Sequence, residues 1–153
     1  MYSIRWHGIA LCGLILGTSS SAHAAPPGAS DLANEVSSDA AQCAAFFEIS
    51  ATCAANTDAM ATAADLLEHR KVMEKIAFLM GKASGMSVEG VQARFATVSD
   101  AELESISRSC VNFSVLLHRY GRACRDFEAH PEQRMTDLRS HGLGTAWPNG
   151  LPD

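Results

Sequence analysis

The chain has no C-x-x-C pair among its five cysteines, no apolar run long enough to cross a bilayer and no sustained two-residue alternation of apolar and polar residues. Each absence removes a class. Tetrathiolate zinc sites bring their ligands in close pairs, thioredoxin-like redox sites use C-x-x-C, and c-type haem attachment needs C-x-x-C-H. A membrane-spanning helix takes about 20 apolar residues, and the one marked run, Ile9 to Leu16, is far shorter. Without alternation, half-buried strands have no signal. A G-x-S-x-G elbow, a phosphate loop and a dinucleotide fingerprint are missing as well. Positive charge is scarce: 12 Lys and Arg against 17 Asp and Glu give a formal net charge of −5. Such an acidic chain is a poor nucleic-acid binder.

What is present begins with an export signature. Arg5, the apolar run Ile9 to Leu16, the small and polar stretch Gly17 to Ser21, and Ala22-His23-Ala24 follow in that order. This three-part pattern predicts a signal peptide over 1–24, cleaved after Ala24, and a periplasmic or secreted protein with no stable membrane anchor. Cys12 leaves with the signal; Leu11 stands before it where a lipoprotein would want a small residue. Four cysteines remain, Cys43, Cys53, Cys110 and Cys124. An even number in an exported chain reads as two disulfides, with no metal and no cofactor called for. The remaining ~129 residues fit one domain. Loss of Arg5 takes the net charge from −5 to −6.

Residues 25–38, with Pro26, Pro27 and Gly28, read as a flexible leader. Asp39 and Gln42 make a capping-box-like start for a first helix reaching Ala55, with Cys43, Phe46, Ser50 and Cys53 on one face. Asn56, Thr57 and Asp58 form a short connection, which makes the second helix an antiparallel neighbour. That helix runs from about Ala59 to Lys82, with Leu66, His69, Met73, Ile76 and Met80 on one stripe. Gly81 and Gly85 mark its end. Ser87 caps a short third helix to about Thr97. Ser99 and Glu102 form a capping box for a long fourth helix, which Pro131 stops near His130. Its stripe is Leu103, Ile106, Cys110, Phe113, Leu117, Tyr120, Cys124 and Phe127, in steps of three and four. The fold class is therefore all-α: a small bundle of three main helices and one short one over 39–130, stapled by two interhelical disulfides. Residues 131–153 read as an irregular tail whose Trp147 is a candidate to dock on the bundle.

Pairing within a helix fails on distance. Ten and fourteen helical residues rise about 15 and 21 Å, whereas a disulfide needs α-carbons within about 7 Å. A third helix that only crosses the bottom sets the fourth parallel to the first and pairs Cys43 with Cys110 and Cys53 with Cys124. This is the favoured arrangement. A third helix that forms a full layer inverts the order to Cys43–Cys124 and Cys53–Cys110. In that form the first pair, enclosing nine residues, is similar to the twin-cysteine helical hairpins of the mitochondrial intermembrane space. The second pair encloses thirteen.

Three constellations are candidate sites. His118, Arg119, Arg122 and Arg125 form a basic patch suited to an anion or an acidic partner. His118, on a helix carrying Cys110 and Cys124, also resembles the histidine of secreted phospholipases A2. That resemblance implies a small hydrolase using a His–Asp pair and a calcium loop. Here Arg119 follows the histidine, and no glycine-rich loop is evident. His69 and Met73 share a face and offer imidazole and thioether ligands suited to copper(I) carriage; His69 is also spaced to pair with Asp65. The leading expectation is a non-enzymatic binding module whose partner is a protein, a peptide or an apolar ligand. Phe47, Tyr120 and Trp147 are candidates for an apolar patch that would make a homodimer.

Overall fold

The computed structural model describes residues 28–141 and Leu143. The signal segment, Cys12 and Trp147 lie outside the described residues. Within them the fold is all-helical: α1 (Ala29–Ala55), α2 (Met60–Ala83), α3 (Val88–Ser105), a 3-10 turn at Cys110–Asn112, α4 (Ser114–Ala129) and α5 (Pro131–His141).

The centre is α1, against which the other four helices pack. Between Val36 and Cys53 only Glu48 and Thr52 are exposed. A helix apolar on nearly every face belongs inside a fold, and the run of alanines lets neighbours come close. Ser37 Oγ donates to the Ala77 carbonyl at 2.9 Å. A Cβ at Gly81 would lie 2.5 Å from the Val91 side chain and 3.2 Å from Ser37 Oγ. Gly81 is thus the meeting point of α1, α2 and α3, not a helix stop. Gly85, at φ 86°, is the residue that turns the chain.

The leader expected over 25–38 is helical from Ala29. Leu32 and Val36 lie one turn apart and both join the core, so burial of that face carries the helix back past Asp39. Asp39 is consequently no cap. It is buried within α1 and accepts a hydrogen bond from Arg134 Nε at 2.8 Å. Arg134 belongs to α5, where an irregular tail was expected. Pro131 ends α4 and also suits the first position of the next helix, where its missing N–H costs nothing. Leu138, fully buried, docks α5 on the core.

The largest correction concerns α3. It does not stop near Thr97 but continues through Ser99 to Ser105, and its 18 residues span about 27 Å, a full layer. The break comes at Ser107 and Arg108, both at φ 53°. Left-handed backbone costs a non-glycine residue roughly 1–3 kcal/mol. Here the Arg108 N–H donates to the Leu103 carbonyl at 2.8 Å, and its guanidinium reaches Glu104 at 2.8 Å. The chain reverses, and α4 runs antiparallel to α1. The disulfides are therefore Cys43–Cys124 and Cys53–Cys110, with Cα separations of 5.2 and 5.4 Å. This is the inverted order, not the favoured one. Cys110 sits in the 3-10 turn before α4, which absorbs the unequal spacing of the two pairs. Two such bridges indicate an oxidising compartment.

The shift of the helix boundary also moves Glu102 from an expected cap to the last turn of α3. There it is 3% exposed, and neither carboxyl oxygen has a hydrogen-bond partner. The negative end of the helix dipole adds to the cost of a charge at this position.

Two predictions follow from this architecture. Replacing Cys43 and Cys124 together by serine lowers the unfolding free energy by about 2–4 kcal/mol in urea titration. An unchanged midpoint would mean that the bridge does not constrain the unfolded chain. The second concerns pH. Burial pushes the Asp39 carboxyl from 3.8 up to about 6 against the pull of Arg134, and the Glu102 carboxyl from 4.5 up to about 8 against the charge of Arg119. Both acids bind protons on folding, so their contribution is fully present below the ordinary value and lost as pH rises through the folded one. The melting temperature should fall as pH climbs from 4.5 to about 8 and then level off. Glu102→Gln should reduce the decline between about 6 and about 8, leaving the part due to the remaining titration of Asp39 and to His69, whose raised pKa acts in the same sense. Calorimetry at a series of pH values checks this; the same slope in wild type and variant would refute it.

Candidate functional site

α2 and α4 both pack on α1 but barely touch each other. The gap between them is a groove of about 520 Å³, within the range of ~300–1,000 Å³ usual for ligand pockets. Its floor is Phe46 and Phe47 of α1 with the Cys53–Cys110 disulfide; Leu66 lies on the α2 side, and Phe113 and Leu117 on the α4 side. Phe46 and Phe113 stack with ring centroids 6.1 Å apart and planes 13° from parallel. Two of the three hydroxyls in the lining, those of Ser50 and Thr57, are occupied locally, donating to the Phe46 carbonyl at 2.6 Å and the Ala54 carbonyl at 2.9 Å; Thr62 is the third. The surface offered to an occupant is therefore chiefly hydrocarbon. Leu117, expected in the core stripe, is 48% exposed, because it forms the lip of this groove.

The basic patch adjoins it. At 100° per residue, Leu117, Arg125, His118 and Arg122 follow one another round α4, away from the buried stripe. A second, shallow hollow of about 550 Å³ is lined by His118, Arg119, Arg122 and Arg125, and shares Leu117 and Arg125 with the apolar groove. All four basic residues are exposed. Arg122 faces Asp126 at 3.6 Å, and Arg119 lies over the Tyr120 ring at 5.9 Å. Arg125 and His118 make no ion pair among the described residues.

His118 has no carboxylate within hydrogen-bond reach among the described residues, whereas a histidine base needs one group to orient it. The histidine that a carboxylate does orient is His69. Its Nδ1 lies 2.7 Å from Glu128 Oε2, and its Nε2 lies 3.5 Å from Asp65, the partner expected one turn away. The Glu128 hydrogen bond raises its pKa above 6.5; burial opposes the shift, and the Glu128 and Asp65 charges assist it. With both nitrogens facing carboxylates, the surroundings favour the protonated ring. It stacks on Phe47 at 5.2 Å and ties α2 to α4 beside the groove. Met73 is fully buried in the core, and among the described residues no cluster of three or more His, Cys, Asp or Glu could hold a metal.

Phe47, 1% exposed, cannot offer the dimer patch expected of it, and Tyr120 is half-buried. Sequence spacing gives Asp65–His69 and the cationic run on α4, but Glu128, 59 residues from His69, has no local signal. The groove has none either, since it is made by what two helices fail to touch. No family model, curated protein or solved structure matches the chain.

Proposed function

We propose that this protein is a non-enzymatic, exported binding module that takes apolar groups into the groove between α2 and α4. The N-terminal export signature and the two disulfides support a periplasmic or secreted location. One observation carries the binding reading: a concave surface on which Leu66, Phe113 and Leu117 stand partly open above the buried rings of Phe46 and Phe47. The Cys53–Cys110 bridge fixes the end of α1 to the approach to α4 and so holds the floor in shape. A site rigid before binding loses less free energy on association.

The test is titration with Nile red, a neutral apolar dye, read by fluorescence. The folded wild type should show one saturable site. Leu117→Glu places a charge on the lip and should weaken binding at least tenfold, since an unpaired charge against hydrocarbon is costly. Leu79→Glu, on the exposed outer face of α2, should leave binding unchanged. Absence of saturable binding, or equal loss in both variants with helicity retained, would contradict the proposal.

A further inference from the structure

We infer that the groove and the basic edge of α4 form one site for a monomeric, single-chain anionic amphiphile, a long-chain carboxylate, with its hydrocarbon in the groove and its head at Arg125. The inference rests on the groove being a binding surface. Charge complementarity carries it further. A chain of net charge −5 gathers Arg125, His118 and Arg122 into a continuous edge beside its apolar groove. Arg125 lines both hollows. With no ion pair of its own among the described residues, it is free to present its planar fork to a carboxylate, the geometry guanidinium matches best.

Two carboxylates lie near that head, Asp65 on the α2 lip and Glu128 on α4 itself, three residues after Arg125; both face His69, whose protonated ring would offset one of their two charges. The dimensions favour one chain. Phe113 to Arg125 spans twelve residues of α4 and the turn before it, ~18 Å, and the groove is too small and too concave to seat a flat bilayer surface. The overall acidity also works against docking on an anionic membrane.

The experiment uses the oxidised mature protein with two fluorescent probes of equal chain, cis-parinaric acid and its methyl ester, kept monomeric. The acid should bind at one site about three- to fivefold tighter than the ester, the upper part of the range for one exposed charge pair. Arg125→Gln should bring the acid to the level of the ester without changing the ester. Raised salt should narrow the difference in the wild type. Arg139→Gln, on α5, should change neither. Leu117→Glu should weaken both probes.

Equal binding of acid and ester, unaffected by Arg125→Gln, would overturn the anionic class and leave the apolar groove standing. Failure of both probes would overturn the groove and this inference together. Binding to anionic vesicles with no uptake of monomeric acid would also overturn it, in favour of a membrane surface.

Discussion

The bundle depends on one constraint: α1 must be covered on almost every side. Its middle is alanine, phenylalanine and cysteine, and apolar surface of that extent is stable only out of water. Four helices supply the cover, and three cross-links fasten it. Cys43–Cys124 and Cys53–Cys110 tie α1 to α4 and to the turn before it, and Asp39–Arg134 ties it to α5. The buried ion pair differs in kind from the disulfides. Removing one partner of such a pair leaves an uncompensated charge inside the protein, whereas the intact pair adds little net stability. Its contribution is to fix where α5 lies.

The groove is a by-product of the same constraint. α2 follows α1 through a short turn, and α4 is stapled to α1 by disulfides, so each is positioned chiefly by the central helix. The short side chains of α1 bring its neighbours close near Gly81, at the far end of α2, while Phe46 and Phe47 hold them apart near the Cys53–Cys110 bridge. The His69–Glu128 contact spans the divergence. A hydrocarbon floor and a cationic edge then coincide. The functional proposal adds to this only that the open surface is used.

Much of the local structure was legible because it depends on neighbours within a turn or two. Ser87 accepts the Gly90 N–H at 3.1 Å as a cap should, Glu104 pairs with Arg108, and α4 ends just before Pro131 as steric exclusion requires. The misreadings share a cause. Ser99-Asp100-Ala101-Glu102 has the composition of a helix start but is equally compatible with a helix interior, and tertiary packing selected the latter. The true break, at Ser107 and Arg108, carries no glycine or asparagine to announce left-handed backbone. That one displaced boundary made α3 a full layer, reversed α4 and exchanged the cysteine partners. For the site, the cationic run was visible as spacing. The hollow beside it and the Glu128 that orients His69 arise only when α2 and α4 are placed side by side.

Because chain reversal, groove and basic edge all follow from the cysteine partners, mapping those partners under non-reducing conditions tests the account most directly. Cleavage after Glu48 separates Cys43 from Cys53, and trypsin after Arg119 or Arg122 separates Cys110 from Cys124. The account predicts linked peptides joining Cys43 to Cys124 and Cys53 to Cys110, without crossed species. Peptides joining Cys43 to Cys110 and Cys53 to Cys124 would set α4 parallel to α1, and the site built between α2 and α4 would not exist.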